Sequence, residues 1–164
     1  MHRRAQGLLA RREYSRKELA QRLVRGLRRD EAAVEDAQSV EARDVAAESR
    51  GRTELIDAVL DDLTAVGSLS DERFVSAFVD GRIRRGKGPL LIRAELRERG
   101  ADDALIDRFL TFADAFWTEK VQAVRARRFG DTLPADSSER QRQARFLAGR
   151  GFGGDLIRRA FDTA

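Results

Sequence analysis

The sequence contains no cysteine, and its single histidine is His2. Without cysteine the chain has no disulfides, no thiolate metal ligands and no cysteine nucleophile. A single histidine at the terminus excludes multi-histidine zinc sites and argues against a histidine-based catalytic triad. The enzyme classes that depend on these groups are therefore excluded.

Proline and long apolar runs are also scarce. Only two prolines interrupt the 164 residues, and no apolar run approaches the length that spans a bilayer. Ala, Leu, Arg and Glu dominate the composition, and these residues favour helix. We therefore expect an all-α protein that is soluble and cytoplasmic and makes no membrane contact.

Motifs for nucleotide or metal chemistry are lacking as well. Gly86-Lys87-Gly88-Pro89 is not a P-loop, which needs GKS or GKT after a four-residue spacer and a preceding strand. Asp61-Asp62 and Asp102-Asp103 could hold Mg²⁺ in principle, but adjacent residues on a helix diverge, and acids at a helix start interact with its dipole. We therefore expect no cofactor, no metal site and no catalytic residue.

What the chain has is charge, and it is concentrated locally. The net charge is +4, and 37% of the residues are charged. Gly86, Gly88 and Pro89 predict a turn between two helices, since glycine permits the turn and proline is tolerated at a first helical position. Bases lie in and just before this central turn: Arg82, Arg84, Arg85 and Lys87. The next helix should pack on Ile92 and Leu96, and two bases lie off that apolar line: Arg93 and Arg97.

Local signals place other helices. Ser15 and Glu18 spell a capping box, and the helix that follows should end near Arg25 or Gly26. The acidic stretch 27–52 has little apolar surface to bury, so we expect a mobile or loosely docked insertion. Two apolar stripes typical of buried helix faces come next: Leu55, Ile56, Val59, Leu60 and Leu63, and then Phe74, Val75, Phe78 and Val79.

An internal repeat organises the chain. Three Leu-Ile pairs lie 50 and 51 residues apart: Leu55-Ile56, Leu105-Ile106 and Leu156-Ile157. A core leucine precedes a glycine by four residues twice, at Leu96 and Gly100 and at Leu147 and Gly151. The spacing predicts three tandem three-helix repeats, about nine helices, in an elongated, curved array. We expect these repeats at 1–66, which contains the acidic insertion 27–52, at 67–112 and at 113–164.

Bases concentrate again in the third repeat. If the repeats stack, these bases and the central turn could form one positive strip, suited to a phosphate backbone or an acidic protein filament. The alternative is a merely solvated face, because many of these arginines have acidic neighbours at helical spacing. The aromatic residues follow helical spacing, which favours core positions over stacking platforms. The predicted strip comprises Arg82, Arg84, Arg85, Lys87, Arg93, Arg97, Arg125, Arg127, Arg128, Arg142 and Arg145.

Four stretches resemble the RecX regulators of the bacterial RecA recombinase. They are LLARREYSRKELAQRL (8–23), GSLSDERFVSAFVDGRIRRGKGPLLIRAELRERG (67–100), RARRFG (125–130) and ERQRQARFLAGRGF (139–152). The resemblance implies tandem three-helix repeats and no enzymatic activity. It also implies binding to the RecA filament on single-stranded DNA, which restrains recombinase and coprotease functions in DNA recombination, DNA repair and the SOS response. The chain departs from the family in the acidic stretch 27–52.

The expected partners are thus the RecA filament and single-stranded DNA, with duplex DNA as a further candidate, and we expect a monomer. The residues leave open another class, a sequence-tolerant DNA-binding protein of helical units without a recombinase partner. Charge alone does not separate the two. An enzyme is a distant third, which hydrolysis of ATP or DNA by the protein alone would reveal.

Overall fold

In the computed structural model of the chain, the described residues are 1–35 and 45–162. Within these ranges the chain forms nine α-helices and no strand, which confirms the predicted all-α class. The chain divides into two compact units, of which the first ends at Phe74 and the second begins at Val75. The predicted repeat boundaries and the curved array stay predictions. The helices are α1 (His2–Leu9), α2 (Arg16–Glu35), α3 (Val45–Ala65), α4 (Asp71–Arg84), α5 (Pro89–Glu98), α6 (Asp103–Leu110), α7 (Asp114–Phe129), α8 (Ser137–Gly149) and α9 (Gly154–Arg159).

The first unit is built on α1, α2 and α3. The Glu18 N–H donates to Ser15 Oγ at 3.1 Å, so the predicted N-cap of α2 is present. The Arg16 N–H donates to Asp71 Oδ1 at 2.8 Å, which gives this helix start a second acceptor from a distant part of the chain. The buried apolar core consists of Ala5, Tyr14, Leu19, Leu23, Ile56, Val59, Leu60, Leu63 and Leu69.

The predicted end of the second helix near Arg25 or Gly26 is wrong. α2 continues to Glu35, and α3 begins at Val45. Gly26 lies inside the helix and is buried, and a Cβ at this position would meet only the guanidinium of Arg4, the far end of a flexible side chain. The expected insertion 27–52 therefore contains the second half of α2 and the start of α3, and its residues 36–44 lie outside the described residues.

Two residues expected in apolar cores are not fully buried. Leu55 is 54% exposed on α3, because the neighbouring Ile56 faces the core instead. Phe78 is half-buried, and the guanidinium groups of Arg82 and Arg99 lie 4.5 and 4.9 Å from its ring centroid. The side chain is thus an apolar platform under two cations rather than a core anchor.

Two turns of the second unit repeat each other, as the sequence spacing predicts. Leu96 and Leu147 are both fully buried, and the glycines that follow have φ of +79° at Gly100 and +89° at Gly151. Each glycine N–H donates to the carbonyl three residues before it at 2.9 Å. The next N–H donates back to the core leucine carbonyl, at 3.1 Å in the first turn and 3.2 Å in the second. Both are Schellman turns, which need an αL residue and therefore favour glycine.

The second of these turns packs directly on the central turn of the chain. The Gly88 N–H donates to the Arg150 carbonyl at 2.8 Å, and the Leu90 N–H donates to the Gly151 carbonyl at 3.0 Å. A Cβ at Gly88 would overlap the Gly151 carbonyl, and a Cβ at Gly151 would overlap Leu91. Only glycine permits this approach, which we call the glycine junction.

We expect Gly88→Ala to destabilise the protein by about 1 to 3 kcal/mol, because the added methyl group overlaps backbone rather than a flexible side chain. Gly88 has φ −86°, so the substitution introduces no backbone strain of its own. Urea denaturation of the full chain measures the loss.

The matched control is Gly149→Ala at the end of α8, where an added Cβ meets nothing within 4 Å. That variant should stay within about 0.5 kcal/mol of the parent. Equal stability of the two variants would contradict the glycine junction.

Candidate functional site

A cleft of about 750 Å³ opens in the second unit beside the central turn. Its apolar lining includes Ile83, Val124, Phe146 and Phe152. Its charged lining is wholly cationic, with no carboxylate among the residues that line it. We call this set the basic cleft, and it consists of Arg84, Arg85, Lys87, Lys120, Arg127, Arg128 and Arg150.

The turn between α4 and α5 supplies three of these bases. Gly86 has φ +70°, and the Lys87 N–H donates to the Arg82 carbonyl at 3.0 Å, so this is a third Schellman turn. Arg150 Nη1 donates to the Arg85 carbonyl at 3.0 Å, which ties the turn to the end of α8. Together with the glycine junction, this contact holds the basic turn in place.

α7 supplies a second wall of the cleft. Lys120, Val124 and Arg127 line it at intervals of four and three residues, so one face of the helix is used. Arg128 follows in the last turn of the same helix. The cations of α7 are therefore placed by helical geometry, and those of the turn by glycine.

Helix polarity decides how an anion could be held here. Three helices end at this cleft, α4 at Arg84, α7 at Phe129 and α8 at Gly149, while α5 begins beside it at Pro89, whose nitrogen carries no hydrogen. Terminal carbonyls carry partial negative charge, which favours nearby cations and disfavours an approaching anion. An anion would therefore be bound by side chains rather than by backbone N–H groups, and guanidinium groups suit phosphate or carboxylate oxygens.

Five members of the predicted strip lie together in this cleft. They come from separate parts of the sequence, the central turn and the end of α7. The structure thus brings the two predicted clusters onto one surface, although their role in binding stays a proposal. The five are Arg84, Arg85, Lys87, Arg127 and Arg128.

Three other members of the predicted strip pair with carboxylates. Arg82 forms an ion pair with Glu95, and Arg93 forms one with Asp107. Arg97 Nε donates to Asp103 Oδ1 at 2.6 Å, and this hydrogen bond lowers the pKa of the Asp103 carboxyl below its usual value. These arginines are neutralised locally and do not line the basic cleft.

Two further members lie on α8. Arg142 donates to Glu139 Oε1 at 2.9 Å. The hydrogen bond from Arg142, with a second one from Gln143, lowers the pKa of the Glu139 carboxyl below its usual value. Arg145 is exposed on the same helix and does not line the cleft.

Arg125 does not belong on an exposed strip, because it is only 6% exposed. Its Nη1 donates to the Thr132 carbonyl and its Nη2 to the Asp131 carbonyl, both at 3.1 Å. The guanidinium therefore orders the segment between α7 and α8. The sequence carries a signal for this role, since Arg125 continues the buried line of Trp117 and Val121 at intervals of four residues.

Sequence reasoning missed Lys120 and Arg150. Arg150 stands just before Gly151, as Arg85 stands before Gly86 and Arg99 before Gly100, so the repeat itself marks these positions. Lys120 is separated by four residues from Arg125, the next base of α7, and only its spacing from Arg127 points to the cleft.

Residues 1–35 and 45–162 contain neither a metal-binding cluster nor a membrane-spanning helix. No group of three or more His, Asp or Glu side chains there is arranged to hold a metal ion. Among the helices of these ranges, none is both long enough and apolar enough to cross a membrane.

Two family models match the second and third parts of the chain. Residues 70–110 match the second three-helix domain of RecX, and residues 118–161 match its third three-helix domain. The regulatory protein RecX of Halorhodospira halophila is 41% identical over 96% of this chain and 83% of its own length. The regulatory protein RecX of Pseudomonas syringae pv. tomato is 39% identical over 97% and 88%.

Solved structures give the same fold. The crystal structure of RecX from Lactobacillus salivarius superposes with a TM-score of 0.69 at 18% identity, over 97% of this chain and 90% of that one. A second crystal structure of regulatory protein RecX gives a TM-score of 0.66 over 96% of this chain and 68% of that one.

Paired substitutions separate the structural arginine of α7 from one that lines the cleft. We expect Arg125→Ala to reduce stability by about 2 to 3 kcal/mol, since it leaves two backbone carbonyls without their charged donor. Arg127→Ala should change stability by less than about 0.5 kcal/mol, because its side chain is exposed. Denaturant unfolding measures both, and equal losses would contradict these assignments.

Proposed function

Because this chain belongs to the RecX family of regulatory proteins, we propose that it binds the RecA filament on single-stranded DNA and restrains its recombinase and coprotease activities. The family relation supports the regulatory role. The basic cleft supports an anionic partner. Under this proposal the protein acts in the cytoplasm as a monomer, and it acts by occupying a surface rather than by catalysing a reaction.

The observation that carries the proposal is a cleft lined by seven cations and no acid, one of which, Lys120, pairs with Glu119 outside the lining. Like charges around one cleft repel each other, and a bound polyanion would relieve that repulsion. A phosphate backbone offers such charge at regular spacing, and binding would release its condensed counterions. The cleft should therefore bind DNA in a salt-dependent way and with little sequence preference.

A second candidate rests on the same cleft, namely a DNA-binding protein that has no recombinase partner. The two candidates differ in how they would inhibit RecA. A plain competitor for DNA should inhibit RecA only to the extent that it occupies bare strand. A regulator of the filament should be captured by RecA-coated DNA more tightly than by bare DNA of the same length.

We expect the triple variant Arg84→Gln, Arg85→Gln, Lys87→Gln to lose most inhibition of RecA-driven strand exchange. Glutamine removes charge without placing an acid at a helix C-terminus, so only the favourable cation interactions there, about 0.3 to 1 kcal/mol each, are lost and the melting temperature should fall by a few degrees at most. Arg82 is left intact because it pairs with Glu95. If all three contact single-stranded DNA, the slope of log affinity against log salt should fall by about 0.7 × 3, or roughly 2.

The matched control removes the same charge outside the cleft. Arg22, Arg28 and Arg29 are exposed on α2 in the first unit, and their triple glutamine variant should inhibit strand exchange as the parent does. If the cleft variant inhibits normally, or if the control loses as much, the basic cleft is not the working surface.

A further inference from the structure

Two phenylalanine rings, the exposed Phe112 and the half-buried Phe116, stack at the junction of α6 and α7. The ring centroids of Phe112 and Phe116 lie 4.4 Å apart with an interplanar angle of 17°. Phe112 is 37% exposed, in the short non-helical segment between the two helices. Helical spacing favours a core position for such residues, yet this ring lies outside both helices and is open to solvent.

A buried tryptophan holds both rings in place. Trp117 is 6% exposed, and it meets Phe112 and Phe116 edge-on at centroid distances of 5.6 and 5.2 Å. The pair therefore has a fixed orientation before any partner arrives. Fixed aromatic faces lose little conformational freedom on binding.

One residue connects this stack to the basic cleft. Lys120 Nζ lies 5.0 Å from the Phe116 ring centroid and pairs with Glu119 Oε1 at 3.0 Å, and Lys120 also lines the cleft. Phe116, Lys120 and Arg127 recur at helical spacing along α7, so aromatic and cationic side chains follow one face of the helix. From Phe116 to Arg127 this face extends roughly 16 Å at 1.5 Å per residue.

We propose that Phe112 and Phe116 form a base-stacking platform that continues the basic cleft, and that this surface selects single-stranded over duplex DNA. The inference rests on the proposed function and deepens it. Stacking requires an unpaired base with a free face, which a duplex does not offer. Phosphates of the same strand would lie along Lys120 and the cleft cations.

The observations favour a nucleic acid strand over an acidic protein surface. Carboxylates of a protein partner would use the cations but give no role to an exposed, pre-oriented ring stack beside them. A single strand supplies both parts, since its charge and its flat apolar faces alternate along the chain. A protein contact at Phe112 is an outcome that the experiment distinguishes.

The test measures fluorescence anisotropy of a labelled oligothymidine of about 20 nucleotides and of a duplex of the same length, without recombinase. Phe112→Leu keeps an apolar side chain, so folding should be preserved, and it removes the ring. It should weaken single-strand binding about fivefold or more and change duplex binding less than about twofold. Phe112→Tyr keeps the ring and should retain the parent affinity.

Salt dependence separates stacking from charge. Phe112→Leu should leave the slope of log affinity against log salt unchanged, because stacking releases no counterions. Lys120→Gln should lower that slope by about 0.7. Leu133→Ala is the matched control, since Leu133 has the same 37% exposure and does not line the cleft. It should leave both affinities unchanged.

The outcomes keep this inference apart from the proposed function. Unchanged single-strand affinity in Phe112→Leu, or equal loss for both DNA forms, would overturn the platform even if the parent inhibits RecA. A second measurement is the capture of RecA without DNA. If Phe112→Leu lost this capture but bound oligothymidine as the parent does, the rings would be a protein contact and the platform would be overturned. If the platform behaves as expected but the parent does not inhibit RecA, the proposed function fails and the platform stands.

Discussion

Two glycine backbones in contact, at Gly88 and Gly151, fix the arrangement on which the second unit depends. The hydrogen bonds from the Gly88 and Leu90 N–H groups join the turn that follows α4 to the turn that follows α8. No side chain could occupy either position without overlapping the opposing chain. The bases of the central turn directly precede Gly88. Their position relative to α7 and α8 is therefore fixed by this junction.

The cations of the cleft stabilise helix ends, but their number is larger than that structural role accounts for. Cations at helix C-termini interact favourably with the terminal carbonyls, by about 0.3 to 1 kcal/mol each. That effect accounts for basic residues near the ends of α4 and α7. It does not require seven cations around one cleft without a carboxylate, and the arginines elsewhere show the alternative, since Arg82, Arg93 and Arg97 each pair with an acid. The cleft cations, of which Lys120 pairs with Glu119 at 3.0 Å, are the part of the surface that suits an anionic partner.

Much of the fold could be predicted because its signals are local. Glycine four residues after a buried leucine marks the turns at Gly100 and Gly151, where positive φ excludes most other residues. Gly26 shows the limit of that reasoning, since it lies inside α2 rather than at its end. The site was predictable in part, through the density of bases in the turn and at the end of α7. The pairing of Arg93 with Asp107 depends on tertiary contacts, and Phe112 keeps a helical spacing from Phe116 although it lies between two helices, so spacing alone could find neither.

The chain offers a direct test, because it contains three lysines and two of them line the basic cleft. Lys87 and Lys120 belong to the cleft, and Lys17 is exposed on α2 in the first unit. Acetylation of lysine amines, measured by mass spectrometry with and without RecA assembled on single-stranded DNA, compares the three within one molecule. Protection of Lys87 and Lys120 with unchanged reactivity of Lys17 is the predicted result. Protection of Lys17 alone, or of none of the three under saturating binding, would contradict a filament-binding role for the cleft.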